Sequence, residues 1–290
     1  MLSWKVDIRP LSSPDIVCNR QEQATNLVRR LGEKMDVCHL VPTMKEHIWN
    51  ADVQEEACSI LAQLAMINEM DKGIREAGGV EAILTGMRQH KSDANVQERG
   101  CSALNTLARG GNDENRKKIA ELGGIDVVRE AMQQHEKVEN IQLQGCWVLR
   151  NLVLNDEIAK KVVIAGGIDL ILRAMKEHPS VPDVQLHGCW AVANLATHID
   201  EKEKKEIVRA GAIDAIISGM TQYNHNLLAE LVQKGCEALL NLAVNDNDIR
   251  NKMREDTRIA VIRDAMKQHQ WDPRVQEQSR RPESILVFDA

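Results

Sequence analysis

The chain has 290 residues, of which 43% are hydrophobic, 28% are charged and 2% are aromatic. This composition supports a packed core and excludes a compositionally disordered chain. The formal net charge of −6 argues against the broad basic surface of a nucleic-acid binder, so no nucleic-acid partner is predicted. Residues 1–10 lack the apolar stretch of a signal peptide, and no apolar run approaches the ~20 residues of a membrane span. We therefore expect a cytoplasmic or nuclear protein.

The N-terminal 34 residues are predicted to form a flexible start and an amphipathic helix over residues 12–34. From residue 35 to residue 281 the sequence repeats itself. One mark of the repeat is a cysteine that opens a similar phrase every 43 to 47 residues. These cysteines are Cys58, Cys101, Cys146, Cys189 and Cys236. Residues 282–290 follow the array as a separate tail.

Two further marks share this period. A methionine followed three residues later by histidine or tyrosine occurs at Met44, Met87, Met132, Met175, Met220 and Met266. A small turn of two glycines, or of glycine and alanine, begins at Gly78, Gly123, Gly166 and Gly211. Three marks with one period predict a helical solenoid, because such folds have repeats of this length.

Within one unit, the local signals predict three helices. An N-cap such as Asn155 opens a short charged helix, which the glycine turn ends. A second helix covers about residues 168–178, and Pro179 and Pro182 precede a third helix over about residues 183–196. Complete units are predicted to begin near Asn68, Asn112, Asn155 and Asp200, with a partial unit on either side. No segment has a strand pattern, so the predicted fold class is all-α.

The phrases Gly145-Cys-Trp-Val-Leu-Arg-Asn-Leu and Gly188-Cys-Trp-Ala-Val-Ala-Asn-Leu resemble the third helix of the armadillo repeat. The resemblance covers about residues 35–281 and implies a right-handed α-solenoid of three-helix repeats, with four full and two partial units. It also implies a non-enzymatic scaffold for protein–protein interaction. In armadillo proteins the third helices line a concave groove, where asparagine binds the backbone of an extended peptide and tryptophan walls its side-chain pockets.

A helical wheel at about 100° per residue separates two faces of the third helix. With Cys146 at zero, the apolar arc points towards the stack, whereas Trp147 and Asn151 point nearly the opposite way. Trp190 and Asn194 repeat this arrangement in the next unit. The wheel therefore predicts that these four side chains lie off the core, and the resemblance assigns them to a peptide groove.

The predicted groove extends over three repeats. Asn241 continues the asparagines while Glu237 replaces the tryptophan, and His187 is either a pH-sensitive groove contact or a solvated polar residue. Two steps of 8–10 Å correspond to a ligand of roughly five or six extended residues. The predicted peptide-binding residues are Gln144, Trp147, Asn151, His187, Trp190, Asn194, Glu237 and Asn241.

Other polar patterns are interpreted structurally. The periodic cysteines are expected in the core, since their spacing fits neither zinc sites nor disulfides. The histidines that follow the methionines are expected to cap the second helix. No nucleophile with its base, phosphate loop or metal-ligand set is recognisable, so neither enzyme activity nor a cofactor or metal site is predicted.

Two alternatives to the peptide groove remain. A regulatory subunit, such as an exchange-factor-like or kinase-scaffold solenoid, would hold a folded protein through its outer surface. Lysine pairs at residues 117–118, 160–161 and 204–205 recur on that surface. A nuclear-import adaptor is the lesser alternative, because the positions beside the tryptophans and asparagines are mostly neutral or basic, whereas such adaptors receive lysines with acidic residues.

Overall fold

The computed structural model describes residues 14–67, 69–109, 113–153, 155–222, 229–254 and 256–280. These residues form eighteen helices and no strand. The helices are α1 Pro14–Glu33, α2 Val37–Glu46, α3 Ala51–Leu64, α4 Met70–Glu76, α5 Gly79–Gln89, α6 Ala94–Ala108, α7 Asp113–Glu121, α8 Gly124–Gln134, α9 Glu139–Leu152, α10 Asp156–Ile164, α11 Gly167–Glu177, α12 Pro182–His198, α13 Glu201–Arg209, α14 Ala212–Thr221, α15 Ala229–Ala243, α16 Asn247–Met253, α17 Asp256–Gln268 and α18 Pro273–Arg280. The predicted all-α fold class is confirmed.

The helices stack in layers. The third helices of successive units, α3, α6, α9, α12, α15 and α18, each pack against the next and form one layer. The second helices α2, α5, α8, α11, α14 and α17 form the layer behind them; the first five each pack on the third helix of their own unit, and α17 packs against α14 and α15. The amphipathic helix expected near the N-terminus is α1, which packs against α2 and α3. The chain is therefore an α-solenoid.

The glycine turn joins the first and second helices of a unit. Gly123 has a φ of 74°, in the left-handed region that residues other than glycine rarely adopt. Its neighbour Gly124 lies so close to the preceding helix that an added Cβ would be 2.7 Å from the carbonyl oxygen of Ile119. The two glycines therefore have different roles, one in backbone conformation and one in close packing.

The methionine and cysteine marks meet between the second and third helices. Gly145 lies against Met132, and a Cβ at this position would be 2.5 Å from the methionine sulfur. Cys146, the next residue, is completely buried, and this burial raises the pKa of its thiol to about 12. The other four periodic cysteines are equally buried, so their predicted place in the core is confirmed.

Glutamine and histidine side chains bind main-chain oxygens at the ends of several second helices. Gln142 Nε2 donates to the carbonyl oxygens of Met132 (2.9 Å) and His135 (3.0 Å). His135 Nε2 lies 2.7 Å from the carbonyl oxygen of Lys91 in the preceding unit, so this nitrogen carries the ring proton. Equivalent glutamines are Gln54, Gln97 and Gln185, and equivalent histidines are His90 and His178. The histidines occupy the expected C-cap positions of the second helices, and their rings bind main-chain oxygens of the preceding unit.

Some sequence predictions lie outside the described residues. These are the unit starts Asn68 and Asn112, the tail over residues 282–290 and residues 1–13. Among the described unit starts, Asn155 accepts a hydrogen bond from the amide nitrogen of Ile158 (2.9 Å), and Asp200 forms a capping box with Glu203. The predicted N-cap at Asn155 is therefore confirmed, and the unit start Asp200 is an N-cap as well.

Candidate functional site

The eight predicted peptide-binding residues lie on three adjacent helices. Gln144, Trp147 and Asn151 belong to α9, His187, Trp190 and Asn194 to α12, and Glu237 and Asn241 to α15. These helices pack directly against one another in the third-helix layer. The surface formed by these eight residues is called the third-helix face below.

The aromatic residues of the third-helix face contact one another across repeats. The ring of Trp147 stacks on that of His187, with centroids 4.2 Å apart and an interplanar angle of 27°. Trp147 and Trp190 are half-buried, so neither indole belongs to the hydrophobic core and neither is fully exposed. The Nε1 of Trp147 is buried and has no hydrogen-bond partner among the described residues.

His187 is buried, with only 6% of its surface exposed. Burial, together with the nearby positive charge of Arg150, lowers the pKa of the imidazole to about 3. The ring is therefore neutral at physiological pH. Of the two interpretations of His187 from sequence, neither the solvated residue nor the pH-sensitive contact agrees with this environment.

Arg150 lies at the centre of the face, although sequence reasoning treated it only as a flanking residue. Its Nη1 donates to Nδ1 of His187 at 2.9 Å, and its guanidinium carbon lies 3.3 Å from the ring centre of Trp190. The Nζ of Lys234 lies 4.1 Å from the same ring. The indole of Trp190 is therefore already in contact with two cations, each within the range of a cation–π interaction.

The asparagines do not form the free ladder of amides that the wheel predicts. Asn151 and Asn241 are 8% and 5% exposed, and Asn194 is half-buried. Each amino group donates to the third helix of the preceding unit. The pairs are Asn151 with the side-chain oxygen of Asn105 (2.8 Å), Asn194 with the carbonyl oxygen of Arg150 (3.0 Å) and Asn241 with that of Ala193 (3.1 Å). A wheel describes one helix, whereas these positions face the adjacent third helix.

The two remaining predicted residues also have partners within the fold. Gln144 accepts a hydrogen bond from Asn105 Nδ2 at 3.0 Å, and Glu237 pairs with Lys234 at 2.8 Å. Sequence reasoning did not identify Asn105, although it precedes Thr106, the residue at the asparagine position of its own repeat. The third-helix face therefore combines aromatic rings and hydrogen-bonded amides with two cations, Arg150 and Lys234. The charge of Lys234 is matched by the carboxylate of Glu237.

The outer lysines alternate with carboxylates. The pairs at residues 117–118 and 160–161 are exposed, and the pair at 204–205 is half-buried. Lys161 contacts Glu157 at 2.6 Å, and Lys205 contacts Asp246 at 3.2 Å. The charges of Lys161 and Lys205 are therefore matched by carboxylates on the outer surface.

A surface cavity of about 740 Å³ lies between α11 and α14, away from the third-helix face. Its wall includes Asp169, Arg173 and Glu177, and Glu177 pairs with Lys137 at 2.6 Å. Within the described ranges, no group of three or more histidine, cysteine, aspartate or glutamate side chains is arranged to hold a metal ion. No described helix combines the length and apolar character needed to cross a lipid bilayer.

Comparison with known proteins gives matches to armadillo repeats. The family described as LRRK2 ARM repeat matches residues 151–281, and no curated protein matches the chain. A solved engineered protein, target OR329, is 25% identical with a TM-score of 0.71, and the match covers 87% of this chain and 96% of that one. The designed armadillo repeat protein YIII(Dq)4CqI is 19% identical with a TM-score of 0.69, over 87% and 100% of the two chains. The designed armadillo repeat protein YIII(Dq.V1)4CPAF, solved in complex with the peptide (KR)4, is 20% identical with a TM-score of 0.65, over 84% and 96%.

Proposed function

Since this chain is an armadillo-type repeat protein, we propose that it is a non-enzymatic scaffold that binds an extended segment of a partner protein on the third-helix face. The observation that carries the proposal is the position of Trp147 and Trp190. Both indoles occupy the same position in adjacent repeats, on the side of the third helices away from the core, and both remain half-buried. Aromatic side chains of this kind provide large contact areas at protein interfaces.

The polar groups of the face are compatible with an extended backbone. The side-chain amino group of Asn194 donates to the main-chain carbonyl oxygen of Arg150. The side-chain oxygen of Asn194 therefore remains to accept a hydrogen bond from a peptide N–H. The three helices α9, α12 and α15 cover two steps of about 8–10 Å each, which corresponds to roughly five or six extended residues. The peptide complex of one designed armadillo protein supports this mode of binding.

A random octapeptide library displayed on phage tests the proposal. We expect peptides to be enriched on the wild-type chain and to bind Trp190→Ala at least ten-fold more weakly, because an aromatic contact is lost. Trp271→Ala is the matched control, since Trp271 is 87% exposed and lies between α17 and α18. Failure to enrich any peptide, or equal losses in the two variants with helicity retained, would contradict the proposal.

The alternatives have less support. An outer surface that holds a folded protein would use the lysine pairs, but Lys161 and Lys205 already contact carboxylates. A groove of the import-adaptor type would receive lysines beside its tryptophans, but Arg150 and Lys234 already occupy the surroundings of Trp190. We therefore favour a ligand that is not basic.

A further inference from the structure

The guanidinium of Arg150 is a half-buried cation that forms no ion pair among the residues that the structure describes. It contacts the neutral imidazole of His187 and the rings of Trp147 and Trp190. Among the described residues, no carboxylate oxygen lies within the 4.0 Å that defines an ion pair with Arg150. Charged side chains that lose part of their hydration are normally paired with an opposite charge.

The surroundings of Arg150 increase this imbalance. Burial lowers the pKa of Arg150 to about 10; the carboxylate of Glu230, beyond ion-pair distance, partly opposes this shift, and the positive charge of Arg109 adds to it. The guanidinium therefore stays charged at pH 7 in an environment that disfavours its charge. Arg109 is exposed at the end of α6 and forms no ion pair within the described residues.

The neighbouring cation does not share this property. Lys234 contacts the same indole as Arg150, but its charge is matched by Glu237 at 2.8 Å. The centre of the third-helix face therefore presents the positive charge of Arg150, which has no ion-pair partner among the described residues, on a chain whose net charge is −6. Charge complementarity here favours an anionic group on the ligand, against the overall charge of the molecule.

We propose that the partner segment is acidic and that one of its aspartate or glutamate side chains pairs with Arg150 on the third-helix face. This inference rests on the proposed function, because it assigns the chemistry of the segment bound there. The planar guanidinium can donate two hydrogen bonds to one carboxylate, and the indole of Trp190 shields the pair from water. A lysine or arginine at the same place would meet two cations.

Three fluorescein-labelled octapeptides test the inference. In each peptide leucine alternates with one other residue, which is glutamate, glutamine or lysine. We expect the glutamate peptide to bind the wild-type chain at least ten-fold more tightly than the glutamine peptide, and the lysine peptide to bind most weakly. Arg150→Gln should abolish the preference for glutamate over glutamine, so that the two peptides bind this variant equally. Arg150→Lys should retain most of the preference, because it keeps the charge.

Two further variants serve as controls. Lys161→Gln removes the same charge from the outer surface and should leave the preference unchanged. Arg109→Gln changes an exposed side chain and should reduce the preference about two- to three-fold, which gives an independent answer if Arg150→Gln fails to fold. Equal binding of the glutamate and glutamine peptides, tighter binding of the lysine peptide, or equal effects of Arg150→Gln and Lys161→Gln would overturn the inference. The proposed function would survive these results if Trp190→Ala still weakened library-selected peptides, and it would fail separately if the library yielded none.

Discussion

Substitution of Gly145 by alanine tests the contact between the second and third helices. The added Cβ would lie 2.5 Å from both Cγ and Sδ of Met132, closer than any ordinary carbon contact. Met132 is itself only 1% exposed, so its side chain is enclosed by other residues. Overpacking of this kind costs about 1–3 kcal/mol, and the clash with two inner atoms of the side chain favours the upper half of that range.

Gly73→Ala is the matched control. Gly73 lies within α4, and a Cβ there would meet nothing within 4 Å. Both substitutions gain about 1 kcal/mol of helix propensity, so this gain cancels in the comparison. We expect Gly145→Ala to have the lower free energy of unfolding, by about 2–3 kcal/mol, in urea titrations followed by far-ultraviolet circular dichroism.

The same substitution in a Met132→Ala variant identifies what destabilises Gly145→Ala. In Met132→Ala the sulfur is gone, so Gly145→Ala should no longer destabilise the protein in that background. If Gly145→Ala is as stable as Gly73→Ala, or if it costs the same with and without the methionine side chain, the close contact between Gly145 and Met132 is not what requires glycine at this position.

Three other substitutions have defined outcomes. Gln142→Leu removes the donor to two buried carbonyl oxygens and should lower the free energy of unfolding by about 1–3 kcal/mol in the same urea assay; an unchanged midpoint would contradict the role of the glutamine. Asn151→Ala should lower the free energy of unfolding by about 1–2 kcal/mol, because the hydrogen bond to Asn105 is lost. An unchanged free energy of unfolding would instead support the exposed asparagine that the wheel predicts. Because the folded pKa of His187 is about 3, below the ~6.5 of an unfolded histidine, its contribution to stability is complete above pH 6.5 and is lost as the pH falls towards 3. Urea midpoints between pH 7 and 4 should therefore fall less for His187→Gln than for the wild type, and parallel curves would refute the assignment.

The layers of the fold follow from the sequence because each mark has one physical role. Cysteine and methionine pack in the core, and a left-handed glycine ends the first helix. These roles depend on contacts within one unit, so one period of sequence is sufficient to recognise them. The all-α solenoid and the burial of the cysteines are accordingly confirmed.

The candidate site is harder to predict because it depends on contacts between units. The orientation of Asn151 is decided by the adjacent third helix, which a wheel drawn for α9 does not contain. Gln142 was overlooked for a related reason, since its acceptors are carbonyls at the end of another helix. The central place of Arg150 depends on Trp190, 40 residues later in the chain, and only the spacing of the units brings the two together.

The histidine rings reach back to main-chain oxygens rather than to side chains. The acceptors belong to residues as different as Ile48, Lys91 and Glu136, so the ring is indifferent to which amino acid precedes it. This hydrogen bond consequently places no requirement on the amino acid at that position of the preceding unit. It can be repeated from unit to unit while the sequence between the helices diverges.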